Sequence, residues 1–147
     1  MMTVKQMCDW ACGVSKDPQH MDWALLIIRL SVAATFIVHG WQKIGNIDGT
    51  IGFFASLGFG AMLTYFVAYA EFIGGILLAL GVMTRLVGGL FAAIMVVAIY
   101  AVHFKNGFNN SGGGYEFQLL LLACSLAIAM VGPGRLSVHT MWCSKTK

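Results

Sequence analysis

The stretch AMLTYFVAYAEFIGGILLALG, residues 61–81, decides the class of fold. It is an apolar run of roughly 20 residues, the length that a helix needs to cross the ~30 Å hydrocarbon core of a bilayer. Its one charged residue, Glu71, lies near the middle of the run. A carboxylate at that depth is costly unless another group compensates it. The stretch therefore predicts a transmembrane helix whose buried charge contacts a neighbouring helix.

Three further apolar segments flank this one, at residues 23–44, 86–103 and 115–131. The chain of 147 residues is 59% hydrophobic and only 10% charged, whereas soluble domains carry about 25% charged residues. Continuous apolar runs exclude the alternating pattern of a membrane β-barrel. The net charge of +3, without any run of basic residues, gives no indication of nucleic-acid binding. The prediction is an all-α integral membrane four-helix bundle.

This bundle is predicted to occupy residues 23–138, between an N-terminal tail (1–22) and a C-terminal tail (139–147). No small-residue cleavage site follows the first apolar run, so we expect the first helix to be retained. More basic residues fall on one side of the predicted membrane than on the other, and the positive-inside rule then places both tails in the cytosol. The cytosolic group is Lys5, Lys16, Arg85, Arg135, Lys145 and Lys147, against Lys43 and Lys105 outside.

Two ionisable residues of opposite sign, Arg29 and Glu71, lie well inside the predicted spans. Counted from the helix ends, their backbones differ in depth by only about 6 Å, a gap that two long side chains can close. Intramembrane charges normally face the bundle interior and pair. We therefore predict an Arg29–Glu71 ion pair, which either sets the register of two helices or takes part in proton relay or ligand gating.

A second polar group gathers where the predicted helices meet the outer boundary of the membrane. Residues four or three apart on a helix share a face, as His39 does with Lys43 and Tyr100 with His103. With His39, His103 and Glu116, such a cluster could bind a polar headgroup and move protons. The alternative is that these side chains simply extend to the interface. The cluster is His39, Gln42, Lys43, Tyr100, His103, Tyr115 and Glu116, and Gln118 joins Tyr115 and Glu116 at the start of the fourth helix.

The cysteines give little functional information. Cys8 and Cys12 lie in the predicted cytosolic tail, where thiols stay reduced. Their spacing, even with the histidines of the same side, matches no zinc pattern, so we predict no metal site. No nucleotide-binding loop, catalytic serine elbow or zinc-protease helix is present. The residues alone identify no cofactor.

Five segments in order resemble the DoxX family of small four-helix membrane proteins over residues 23–138. They are LIIRLSVAATFIVHGWQKIG, GFFASLG, AEFIGGILLALGVMTRL, YEFQLLLLA and GPGRLSV. The resemblance implies an inner-membrane protein linked to quinone-dependent redox chemistry or oxidative stress, and a redox partner subunit. Some relatives belong to a terminal quinol oxidase or to a thiosulfate:quinone oxidoreductase. This sequence departs from the family pattern at His139, where many relatives have an acidic residue after the GPGRLSV segment.

The family's motif residues match this sequence mainly in the first two helices and at both ends of the fourth. They are Arg29, His39, Gly40, Gln42, Lys43, Glu71, Gly74, Gly75, Gly81, Arg85, Tyr115, Glu116, Gly132, Pro133 and Gly134.

Two functions remain open at this point. In the first, the protein is a subunit of a quinone-dependent oxidoreductase that holds a quinone headgroup near the outer face, with protons exchanged through His39, His103 and Glu116. The chain has no evident electron carrier, so catalysis would need a partner that supplies one. In the second, it is a non-enzymatic membrane scaffold or small-solute carrier. The substrate, the partner and any homo-oligomer are not determined by the sequence.

Overall fold

The computed structural model describes residues 18–138, and the tails that contain Cys8, Cys12 and His139 lie outside this range. Five α-helices form the described chain: α1 (Pro18–Gly45), α2 (Ile47–Ser56), α3 (Ala61–Leu80), α4 (Thr84–Ala98) and α5 (Glu116–Val131). A π-helical turn, Ile99–His103, and a 3₁₀ turn, Phe104–Asn106, extend α4. No strand occurs between residues 18 and 138. The all-α prediction is confirmed.

Three of these helices are long and apolar enough to cross a membrane: α1, α3 and the extended α4, which runs through residue 106. The fourth apolar helix, α5, is shorter, with 16 residues. Large apolar side chains such as Ile27, Phe66 and Leu120 are more than half exposed. An outer surface of this kind suits lipid rather than water, because a water-soluble bundle buries such side chains. The first helix begins at Pro18, five residues before the predicted start at Trp23.

The four apolar helices are arranged as two antiparallel hairpins, because α1 packs along α3 and α4 packs along α5. Small residues allow close approach within each hairpin. A Cβ on Gly75 would meet Ile37 and Ala33 of α1, and a Cβ on Gly88 would lie 3.0 Å from the Ser125 carbonyl oxygen of α5. Such small-residue contacts are the usual means by which membrane helices associate.

The two hairpins meet through a core of buried apolar side chains. Phe36 of α1 stacks on Phe91 of α4 with 3.7 Å between the ring centroids. Gly74 of α3 makes room for this pair, since a Cβ there would lie 3.0 Å from the Phe91 ring. Leu78 and Ile128 belong to the same cluster and are fully buried. At one end of the bundle, Arg29 of the first hairpin contacts the segment that follows α5, and at the other end a cavity separates the two hairpins.

The connections between helices determine what lies at each end of the bundle. The link from α3 to α4 is tight, with Gly81 and Met83 both in the left-handed region at φ 73° and 49°. The link from α1 to α3 contains α2, which has no buried residue, and Gly58, with φ 85°, follows this short helix. The aromatic residues of this longer link fold back over the bundle end that contains Lys43.

Candidate functional site

The packing of α1 against α3 determines which cation reaches Glu71. At Gly40 the two helices touch, because a Cβ on this glycine would lie 2.5 Å from the backbone nitrogen of Phe72. Lys43 follows one helical turn after Gly40, and Glu71 directly precedes Phe72. The Lys43 ammonium group accordingly donates a hydrogen bond to Glu71 Oε2 and forms an ion pair with it. The Glu71 side chain is only 3% exposed, and that of Lys43 26%.

The predicted Arg29–Glu71 ion pair is therefore wrong. The same antiparallel packing places Arg29 beside Gly81, where a Cβ would lie 2.9 Å from the Arg29 Nη1 atom. Gly81 is ten residues from Glu71, or about 15 Å along a helix. The prediction counted depth from the expected helix ends, whereas the glycine contacts set the actual register. In that register Lys43 is level with Glu71 and Arg29 with the far end of α3.

Arg29 instead binds the segment that follows α5. Its Nη1 donates to the carbonyl oxygen of Pro133, and its Nη2 donates to that of Leu136 at 2.7 Å. Gly132 and Gly134, with φ 91° and 69°, bend the chain so that these carbonyls face α1. Arg29 is 2% exposed. We conclude that the buried guanidinium holds the second hairpin to the first at this end.

At the opposite end, a cavity of about 600 Å³ lies between the two hairpins. This volume falls within the ~300–1,000 Å³ typical of small-molecule sites. All five helices contribute to its wall, together with the π-helical turn after α4 and the link after α2. Aromatic rings form much of the apolar part, and they are Phe36, Phe53, Phe54, Phe59, Phe66 and Phe117.

The polar groups of the cavity are few and come from both hairpins. The first hairpin contributes Thr35, His39, Lys43 and Glu71, and the second contributes His103 and Gln118. His39 and Lys43 are four residues apart on α1 and share its inner face, as their spacing predicts. The structure thus joins the buried carboxylate of Glu71 to part of the predicted outer cluster. A largely apolar cavity with a small number of polar side chains is typical of a ligand-binding site.

On the second hairpin, His103 and Gln118 form a hydrogen-bonded unit. His103 Nδ1 lies 2.7 Å from the carbonyl oxygen of Gly113, which also accepts a hydrogen bond from Asn106 Nδ2 at 3.1 Å. Gln118 Nε2 lies 3.1 Å from His103 Nε2. The π-helical turn Ile99–His103 carries this histidine to the wall, and π-turns within helices frequently occur at functional sites.

Four residues of the predicted outer cluster do not line the cavity. Gln42 is exposed, and Tyr100 is 84% exposed. Tyr115 packs against the Phe104 ring at a centroid distance of 6.0 Å. Glu116 Oε2 accepts a hydrogen bond from the backbone of residue 110 at 3.2 Å. The last two side chains order the loop between α4 and α5 and so act on the site indirectly.

Gln118 belongs to the polar group that the sequence places at the outer boundary, but no role in the site was predicted for it. Its position in the first turn of the fourth predicted helix is visible, but neighbouring Glu116 carries the stronger chemical signal. Burial distinguishes the two, because the Gln118 side chain faces the cavity while Glu116 is exposed. Among residues 18–138, no three His, Cys, Asp or Glu side chains are close enough together to hold a metal ion.

Comparison with known proteins gives a family and several relatives. The model of the DoxX family matches residues 24–104. The protein named "Putative oxidoreductase CatD" from Bacillus subtilis (strain 168) is 40% identical over 107 residues, which cover 73% of this chain and 78% of that protein. "Inner membrane protein YqjF" from Escherichia coli (strain K12) is 27% identical over 122 residues, covering 82% and 92% of the two chains.

A further relative, "Inner membrane protein YphA" of the same E. coli strain, is 31% identical over 121 residues, or 78% of this chain and 86% of that protein. No solved structure gives a significant match.

Proposed function

Because this chain belongs to the DoxX family, we propose that it is the membrane subunit of a quinone-dependent oxidoreductase and binds a quinone-type headgroup in the cavity between its hairpins. The single observation that carries this proposal is the composition of the cavity wall. Aromatic and aliphatic side chains surround a space of about 600 Å³, and a cation, a carboxylate, two histidines and an amide project from the wall.

The apolar wall suits the ring and the first part of the tail of such a ligand. Offset stacking on aromatic side chains adds to the free energy of simple burial, by roughly 0.5–1.5 kcal/mol for each pair. Phe53 and Phe54 belong to α2, whose side chains are exposed or only half-buried. A ligand dissolved in the bilayer could therefore enter sideways past this short helix without passing through water.

The polar groups suit the oxygen atoms of the ring. The Lys43 ammonium has three donor hydrogens, and its bond to Glu71 uses one of them. A remaining hydrogen is available to a quinone carbonyl, and the nearby Glu71 carboxylate and His39 imidazole can accept or release the protons that quinone reduction requires. Glu71 thus takes the place that the sequence interpretation gave to Glu116.

Electrons must come from elsewhere. Reduction of a quinone consumes two electrons and two protons, and the proposed subunit supplies binding and proton exchange while a partner protein with a redox cofactor supplies the electrons. The name of the B. subtilis relative supports an oxidoreductase role, and the names of the E. coli relatives support an inner-membrane location. We place the cavity toward the outer face, with both chain ends in the cytosol, on the distribution of basic residues.

Binding of a decyl-substituted benzoquinone to the purified protein in detergent, measured by titration calorimetry, tests the proposal. The informative variant is Lys43→Met/Glu71→Gln, which removes both charges together and leaves neither unpaired. We expect its dissociation constant to rise about tenfold through loss of the charge-assisted hydrogen bond. Lys105→Met, an exposed lysine outside the cavity, is the matched control and should bind as wild type does.

Equal affinity of the double variant and wild type would contradict binding at this cavity. Absence of any quinone binding by wild type would favour the non-enzymatic scaffold or small-solute carrier instead, for which the buried Arg29 contacts would be the main structural device.

A further inference from the structure

The hydrogen atoms of the His103 imidazole follow from its surroundings. The carbonyl oxygen of Gly113 can only accept hydrogen bonds, so His103 Nδ1, at 2.7 Å from it, must carry a hydrogen and donate. In the neutral imidazole the other ring nitrogen, Nε2, is then an acceptor. The loop between α4 and α5 thereby selects one tautomer of a histidine in the cavity wall.

This tautomer in turn orients the amide of Gln118. An acceptor at His103 Nε2 requires a donor at 3.1 Å, and only the Gln118 Nε2 amide group can supply one. The carbonyl oxygen of the same amide, Oε1, is consequently turned away from the imidazole. It is buried, and no donor among the described residues reaches it. A buried acceptor without a donor costs free energy that a suitable ligand can recover.

We propose that Gln118 determines which redox form of the ligand is preferred, by accepting a hydrogen bond from a ring hydroxyl group at its Oε1 atom. The inference rests on the function proposed above and adds the preference to it. A quinol carries hydroxyl groups that can donate to Gln118, whereas a quinone presents only acceptor oxygens. An acceptor facing an acceptor gains no hydrogen bond, so the hydroxyl form binds more tightly.

A preference of this kind has a redox consequence. If the reduced ligand binds about tenfold more tightly than the oxidised ligand, the two-electron potential of the bound couple rises by about 30 mV. The cavity would then favour reduction of a bound quinone by the partner protein. The sign of this shift in potential follows from the arrangement of three groups: the Gly113 carbonyl, the His103 imidazole and the Gln118 amide.

Two redox-inert probes test the inference without any partner: 4-decylphenol, which has a hydroxyl group, and its methyl ether 4-decylanisole, which does not. For the wild-type full chain in lipid nanodiscs we expect a dissociation constant about tenfold lower for the phenol. In Gln118→Leu this ratio should fall to about one, through weaker phenol binding. Gln42→Leu, which replaces an exposed glutamine of α1 outside the cavity, should keep the wild-type ratio.

The outcomes separate the two proposals. If wild type binds neither probe, the proposed function fails and this inference fails with it. If wild type binds both probes within a factor of two, the cavity binds ring ligands but Gln118 does not select the hydroxyl group, and only this inference is overturned. A preference that survives in Gln118→Leu overturns it as well.

A measurement on wild type alone keeps the inference testable should Gln118→Leu fail to fold. Nitrogen-15 NMR of protein labelled at histidine, with His103→Gln for assignment, reports which ring nitrogen is protonated. We expect His103 to carry its hydrogen on Nδ1 with Nε2 unprotonated. A hydrogen on Nε2 would place the Gln118 oxygen toward the imidazole and overturn the inference.

Discussion

Separate removal of the two charges in the Lys43–Glu71 pair should have unequal effects on stability. Lys43→Met leaves the Glu71 carboxylate, 3% exposed, without its cation. Loss of one partner from a buried ion pair costs about 3–5 kcal/mol. Glu71→Gln leaves Lys43, which is 26% exposed and can extend toward the interface, so we expect a smaller loss of about 1–2 kcal/mol.

The double variant Lys43→Met/Glu71→Gln should recover most of the loss of Lys43→Met. Neither charge is then buried, and replacement of a buried pair by neutral residues of similar volume is often close to neutral. If the double variant costs about 1 kcal/mol, these values give a coupling free energy of about 3–6 kcal/mol between the two positions. Unfolding of the purified protein by added denaturing detergent, followed by helical circular dichroism, measures all four proteins.

A matched control is available at the opposite end of the bundle. Asp22 and Arg135 form an ion pair with 3.7 Å between their closest charged atoms, and the Arg135 side chain is 71% exposed. Arg135→Met should cost no more than about 1 kcal/mol, because exposed pairs contribute little. The reasoning is refuted if Lys43→Met and the double variant are equally unstable, or if Arg29→Met rather than Lys43→Met shows the coupling to Glu71→Gln.

Three further changes test the packing. Gly40→Ala places a methyl group 2.5 Å from backbone of α3 and should cost about 1–3 kcal/mol in the same assay, whereas Gly45→Ala, with no atom within 4 Å, should not destabilise. Arg29→Met leaves two carbonyls after α5 without their donor, and limited proteolysis at that segment should become several-fold faster. Phe36→Ala should cost about 3–5 kcal/mol by loss of its buried ring, against less than about 0.5 kcal/mol for Tyr100→Ala on the lipid-facing surface.

The sequence was sufficient for the fold because length and apolarity alone limit a membrane helix. An apolar run of roughly 20 residues has one stable conformation in a bilayer, so the four apolar helices could be recognised without any tertiary information. The sequence predicted the ends of the helices less accurately. The first helix continues back to Pro18, through a polar turn that carries no apolar signal.

The partner of Glu71 could not be obtained in the same way. When the relative depth of two residues is counted from the predicted helix ends, it is uncertain by several ångströms. This uncertainty is comparable to the length of an arginine or lysine side chain. The contact of Gly40 with Phe72 fixes the register more closely than that. Gly40 is one of 18 glycines in the sequence, and helical periodicity does not mark it as the contact that aligns Lys43 with Glu71.

The site was predicted in part. His39 and Lys43 are brought together by the 3.6-residue period of a single helix, which sequence spacing captures. The unit of His103, Gln118 and Gly113 depends on a π-helical turn and on a loop of glycines and asparagines. Hydrogen bonds between residues 10 and 15 positions apart across such a loop have no periodic signature.

The shortness of α5 has a consequence for the surrounding lipid. Sixteen residues span about 24 Å, some 6 Å less than an average hydrocarbon core, while α1 with 28 residues exceeds it. A bilayer crossed by α5 would have to thin beside it, at a cost of fractions of a kcal/mol for each ångström of mismatch. Bilayers of shorter acyl chains would reduce the mismatch at α5 and increase it at α1, so membrane thickness acts on the two helices in opposite directions.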